Sequence, residues 1–217
     1  GERSITLAPE TGSDRLRRVI NKTVTNEQIL DKSDLIFRMG IDNLKLYYMI
    51  GLPSETDEDL VAIRDLTLAI RDRMQSHARE RGTMGRLVAS VNPLVPKPGT
   101  TYQWLPMTRA DVIEEKSNRL RELVAGVDNV YFNVKSERHS FYQGLLSLGD
   151  RRVADVIERV QANGGNWRAA VADVGIDADA YLYRDRSADA FLPWQIIDGG
   201  AKTEFFRTEF EKGTRAE

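Results

Sequence analysis

Leu7–Lys22, LAPETGSDRLRRVINK, runs from an apolar strand through a polar, glycine-containing turn into a basic helix. That order, strand then turn then helix, is half of a βαβ unit, and the chain repeats it. Ser4–Ala8, Asn43–Ile50 and Leu87–Val91 are rich in Ile, Leu, Val and Tyr and read as short strands, each followed by a turn and an amphipathic helix. Thr25 stands three residues before Gln28, and Thr56 three before Asp59, the spacing at which two side chains satisfy each other's orphan amides at a helix start. Thr108 and Asp111 repeat the signal before a helix expected to reach about Ala125, and Gly40 is placed to stop the first long helix. In the second, Leu60, Ile63, Leu66, Ile70 and Met74 recur at helical spacing and predict one buried stripe. Strands alternating with helices of this length imply parallel pairing through right-handed crossovers, in an α/β layer or the wall of a partial TIM-like barrel. Asn129–Val134 is a further strand. From Glu137 onward, short helical segments punctuated by SLGD, NGGNW, VGID and FLPW predict a helical extension.

Composition narrows the classes. A chain of 217 residues with 41% hydrophobic content can bury a core, and a formal net charge of −2 with interleaved signs gives no global pull toward nucleic acid or an anionic membrane. No run approaches the roughly 20 apolar residues that span a bilayer, and no signal-peptide pattern opens the chain, so no membrane partner and a cytoplasmic location are expected. The absence of cysteine excludes disulfides, thiolate zinc sites and cysteine-bound iron–sulfur clusters on these residues.

The unusual sequences all follow strands: PETGSD after the first, GLPSET after the second, NPLVPKPGT after the third. In parallel α/β folds ligands bind at the carboxyl ends of strands, so Glu10, Gly51 and Asn92 are expected to share a rim. Each motif alone also suits an ordinary βα loop, which needs Gly, Pro and a cap. The acidic run Glu55, Asp57, Glu58 and Asp59 reads as a complement to a helix dipole, and His77 and His139 as surface or turn residues. Trp104, Trp167 and Trp194 read as core anchors before nucleobase platforms.

PETGSDRLRRVINK, LYYMIGLPSETDEDL and NPLVPKPGT together resemble the second half of a radical SAM core, the partial (β/α)6 barrel that binds S-adenosylmethionine beside a 4Fe-4S cluster. The resemblance covers Ser4 to Trp104. Within the superfamily it is closest to cobalamin-domain-associated proteins of unsettled function often labelled Fe–S oxidoreductases; methylthiotransferases and oxygen-independent coproporphyrinogen oxidases are more distant. It implies a fragment beginning at the fourth barrel strand, without the first half of the barrel and its CxxxCxxC cluster loop, and therefore inactive alone. The missing half is then the implied partner, with cobalamin implied in an associated domain. The implied organisation is 1–107 as the carboxyl-terminal half of the barrel, 108–135 as a helix and closing strand, and 136–217 as the helical extension.

The resemblance also implies roles for single residues. Glu10 aligns with the strand-end residue that binds the ribose hydroxyls, and a carboxylate can accept from both hydroxyls of a cis-diol. Asn21 and Lys22 align with the pair that meets the methionyl carboxylate. Tyr47 stands where relatives often carry an Asp as a second ribose contact. Met49 and Ile50 would flank the adenine, Gly51 would let it approach the backbone, and Asn92, Leu94 and Val95 would lie along its edge. The whole protein would reductively cleave S-adenosylmethionine to methionine and a 5′-deoxyadenosyl radical that takes hydrogen from a substrate the sequence does not identify. Two other classes compete. One is a non-catalytic interaction module docking a partner through Glu137–Arg207, the other a self-contained nucleotide-binding α/β domain. A truncated barrel should expose the edge of its first strand and self-associate through it, whereas a self-contained domain should not. An RNA contact through GDRRV with Arg159 and Arg168 ranks below these, because relatives that act on tRNA usually add a dedicated domain.

Overall fold

The computed structural model describes residues 4–188 and 190–214. Four parallel strands, β1 (Ser4–Glu10), β2 (Asn43–Ile50), β3 (Leu87–Pro93) and β4 (Val130–Val134), form one sheet in the order β1-β2-β3-β4. Helices α1 (Asp14–Val19) and α2 (Asn26–Arg38) join β1 to β2; α3 (Asp57–Arg81) joins β2 to β3; α4 (Ala110–Leu123) precedes β4. After β4 come α5 (Glu137–Leu148), α6 (Val153–Ala162), α7 (Trp167–Val174), α8 (Ala178–Leu182) and α9 (Thr203–Thr214). The parallel α/β architecture expected from the strand–helix alternation is the one formed. No helix among the described residues is long and apolar enough to cross a membrane.

The chain divides into two compact units. Among the described residues, the first comprises 4–93, 111–135 and 213–214; the second comprises 94–110, 136–188 and 190–212. The run after β3 therefore parts at Pro93, and Leu94 onward groups with the helical segments.

Alternation along the strands divides the first unit's sheet into two faces. Leu44, Leu46, Tyr48 and Ile50 of β2, with Leu87, Ala89 and Val91 of β3, are fully or nearly fully buried in a core that contains the α3 stripe of Leu60, Ile63, Leu66, Ile70 and Met74. The Tyr48 hydroxyl lies 3.1 Å from Thr67 Oγ1 inside this core. Since Thr67 donates its own proton to the Ile63 carbonyl at 2.7 Å, Tyr48 is the donor. The opposite face carries Ser4 and Thr6 of β1, Lys45, Tyr47 and Met49 of β2, Val88, Ser90 and Asn92 of β3, and Tyr131 and Asn133 of β4.

The second unit has its own core, in which Met107, Leu145, Leu148, Val153, Ala178 and Leu182 pack together with half-buried Val95 and Trp194. Trp104 is fully buried and meets Phe210 edge-on with ring centroids 5.5 Å apart. The Trp194 indole donates to Gln103 Oε1 at 2.7 Å. Trp167 stacks on Tyr142. All three tryptophans thus serve as packing anchors.

Candidate functional site

The carboxyl ends of β1, β2 and β3 are in register. Met49 pairs with Asn92, Ile50 with Pro93, and Tyr48 with both Glu10 and Val91. Glu10, Gly51 and Asn92 therefore lie on one rim of the sheet.

The β1 end is irregular. Leu7 pairs with Leu46 and Glu10 with Tyr48, so β1 uses one more residue than β2 over this span, a bulge that re-aims the chain beyond it. Glu10 itself has φ 67°, a left-handed backbone that costs a side chain with a Cβ roughly 1 kcal/mol or more. Its half-buried carboxylate accepts from Lys22 Nζ at 3.1 Å through Oε1, and the same ammonium donates to the Ala8 carbonyl. Lys22 thus ties the chain after α1 back onto the bulge. An ammonium has three donors, and these two bonds leave one over. Asn21, next to Lys22, is exposed and also left-handed, with φ 55°.

The remainder of the LAPETGSDRLRRVINK segment is engaged in scaffolding. A Cβ on Gly12 would fall 2.0 Å from the Ile63 amide nitrogen and 2.2 Å from the Ala62 carbonyl carbon, so glycine is needed for the turn to press against the α3 backbone. Ser13 Oγ caps α1 by accepting from the Leu16 amide at 3.1 Å, and it donates to Asp59 Oδ1 at 2.5 Å. Arg17, in the basic helix α1, is 0% exposed. Its guanidinium donates to the Thr11 and Val24 carbonyls at 2.6 and 2.7 Å and to the side chains of Asp14 and Asn26. Burying that charge is tolerated only because donors and charge are both matched.

The second loop is held from beneath by two carboxylates that sequence reasoning assigned to the helix dipole. Glu55, its side chain 2% exposed, accepts the Gly51 amide with both oxygens at 3.0 and 3.1 Å and meets Lys116 Nζ at 2.6 Å. Gly51 takes φ 78°, the turn glycine alone adopts without strain. Asp59 accepts from the Thr56 amide at 2.9 Å, completing the reciprocal half of the predicted cap. It also accepts from Ser13 and from the Arg15 guanidinium, which reaches the Ser54 carbonyl at 2.8 Å. Burial opposes the charge on Asp59. The Ser13 hydroxyl, the Thr56 amide and Arg15 outweigh it and hold the carboxyl below its ordinary range. The first and second loops are therefore one hydrogen-bonded body. The signal for this lay in the pairing of GSD with SETDED, which no local spacing rule reports.

The remaining candidates separate by face. Met49 is half-buried on the polar face of the sheet, whereas Ile50 is fully buried against the helices; adjacent strand residues cannot both offer side chains to one ring. Tyr47 is partly exposed on the polar face with Lys45 Nζ 4.8 Å from its ring centroid. Asn92 lies two residues beyond Ser90 on the same face, and Ser90 pairs with Tyr47 on one side and Asn133 on the other. The Ser90 hydroxyl is buried without a hydrogen-bond partner. Leu94 and Val95 fall in the second unit, where Val95 joins the core.

A nucleoside could use this rim: the carboxylate at a strand end suits a diol, and a glycine turn and a half-buried methionine suit a flat ring. Residues 1–67 match the radical SAM superfamily. The matching segment contains β1, the first rim loop, β2 and the GLPSET loop. Over 156 residues, 72% of the chain, the sequence is 28% identical to an uncharacterized protein of Methanocaldococcus jannaschii, and it spans about a third (32%) of that relative's length. No solved structure matches. The cluster of the superfamily does not fit the residues present, because the sequence has no cysteine and no group of three or more His, Cys, Asp or Glu side chains converges on a metal position among the described residues.

Proposed function

We propose that the rim of the first unit is the nucleoside-binding part of a radical SAM site, and that these residues act within a longer protein that reductively cleaves S-adenosylmethionine. The observation that carries this reading is Glu10, a carboxylate held at a strand end on a strained, bulged backbone, in a segment that matches the superfamily. Strain of this kind persists where the surroundings over-determine it and is concentrated at binding sites. Cleavage itself belongs to the cluster, whose ligands this sequence does not contain.

In this reading Glu10 accepts from the ribose hydroxyls through its outer oxygen while Lys22 neutralises the inner one. The spare Lys22 donor, beside Asn21, meets the methionyl carboxylate. Met49 and the Gly51 backbone border the adenine, and Tyr47 and Asn92 stand on the polar face next to it. The Ile50 side chain, on the other face, is given no contact, and none is assigned to Leu94 or Val95 of the second unit. The chain on its own supplies affinity and orientation without turnover, and the thiolate-bearing half of the barrel completes the sheet at β1.

Calorimetric titration with S-adenosylmethionine, paired with amide chemical shifts, tests the reading. Saturable binding with shifts at Glu10, Gly51 and Asn92, weakened about tenfold by Glu10→Ala, is expected. Equal binding by wild type and Glu10→Ala, or shifts away from the rim, would overturn it.

A further inference from the structure

The second unit contains a cavity of about 800 Å³ between the α5–α6 turn, the start of α8 and the run after it. That volume is in the range of small-molecule sites. Its charged lining is mixed, with an excess of one positive charge. Arg151, Arg152, Arg184 and Arg186 line it with Asp150, Asp155 and Asp177. Asp150 is committed to Arg152, accepting Nε at 3.0 and 3.1 Å and Nη2 at 2.7 Å, so this pair cancels. Asp177 uses an oxygen to cap α8 through the Ala180 amide at 3.1 Å and keeps its charge, so that Asp155 and Asp177 stand against the three other arginines. Arg151, Arg184 and Arg186 form no ion pair with any described residue.

Arg186 is the decisive group. It is 8% exposed, and its guanidinium donates to the Arg184 carbonyl at 3.3 Å and to the Tyr181 carbonyl, leaving further N–H donors over. Burial and the like charge of Arg184 both act against its protonated form, yet arginine does not deprotonate in a protein, so the charge stays. The Tyr181 hydroxyl, buried beside Asp150, adds a polar atom on the same wall. The opposite lip is apolar: Phe191 and Ile196 are 73% and 83% exposed, continuous with Ile176 and Leu148 deeper in.

We propose that this cavity binds an organic anion with an apolar body, its carboxylate or phosphate monoester head on Arg186 and Arg184 and its hydrocarbon or aromatic part against Phe191 and Ile196. The head supplies the counter-charge that Arg186 lacks, and the body covers two large side chains otherwise left in water. The site draws on none of the rim residues of the first unit and stands or falls without the radical SAM reading.

The test is a calorimetric titration of the whole chain with phenyl phosphate and with 4-phenylbutyrate, against inorganic phosphate and 4-phenylbutanol. One or both aryl anions should bind saturably, and each control, lacking body or charge, should bind at least about tenfold more weakly. Preference between the two anions assigns the head group. Arg184→Met, at an exposed position, should weaken binding about tenfold, and Phe191→Ser several-fold, with unchanged circular dichroism. Both variants leave the buried Arg186 in place, so the test does not depend on a substitution in the interior. No binding of either anion up to about 10 mM, or binding indifferent to both Arg184→Met and Phe191→Ser, would overturn the proposal.

Discussion

Glu55→Gln isolates the charge beneath the GLPSET loop. The amide keeps the shape of the side chain and can still accept the Gly51 N–H, so the backbone bond at 3.0 Å is retained. What is lost is the counter-charge of Lys116, 2.6 Å away with only 20% of its side chain exposed. Removing one member of a fully buried pair costs about 3–5 kcal/mol. The Lys116 stem can carry its ammonium toward water, which brings the expected loss to about 2 kcal/mol. For a protein of this size that is a fall of about 4–8 °C in the melting transition of the first unit. Urea and thermal denaturation of Glu55→Gln, Lys116→Met and the double variant should give a coupling energy of at least about 1 kcal/mol, the double variant recovering part of the loss. Amide exchange adds a second readout: Glu55→Ala, which removes the acceptor, should accelerate exchange at Gly51 more than Glu55→Gln does. Additive single variants, or a melting shift of about 1 °C or less, would refute the assignment of Glu55 as the support of the loop.

Gly12→Ala should destabilise the first unit by about 3 kcal/mol, because the new Cβ meets the α3 backbone, which cannot rotate aside as a side chain would; urea unfolding measures it. Asp59 predicts a pH dependence. Its folded carboxyl lies below the ordinary range, so its contribution is complete above about pH 4 and is lost as pH falls toward the folded value; Asp59→Asn should lower stability at neutral pH and flatten the acid limb of an unfolding series. Asp34 repeats the sign, because the His77 ring at 2.8 Å and then Arg38 hold its carboxyl down, and Asp34→Asn should likewise flatten that limb. Tyr48→Phe removes one buried donor to Thr67 and should cost about 1 kcal/mol by the same denaturation assay.

The sheet was legible in the sequence because its signals are local. Alternation in Asn43–Ile50, the Thr25–Gln28 capping box and the Leu60-to-Met74 stripe each lie within a few residues, and each is formed as expected. The rim was legible in position, since loops after parallel strands must share an end. Its chemistry was less so. Nothing in the basic run of α1 sets Arg17 apart, yet four groups, from Thr11, Asp14, Val24 and Asn26, converge on it and offset its burial. Glu55 and Asp59 have the composition of a helix start, and only the fold brings Lys116 and Ser13 to them. The bulge and left-handed backbone at Glu10 leave no trace in PETGSD, because glutamate has no preference for that conformation. Met49 and Ile50 separate for the simplest reason, the two-residue period of a strand.

Strand order in this sheet is the order of synthesis, β1-β2-β3-β4. Each strand, as it emerges, finds the edge it will pair with already made, and the helix that precedes it returns to cover the face just completed. Parallel pairing is slow when distant segments must search for each other. Here every pairing joins nearest neighbours in the chain, so these four strands can be added stepwise on the ribosome, with the β4-side edge moving forward as translation proceeds.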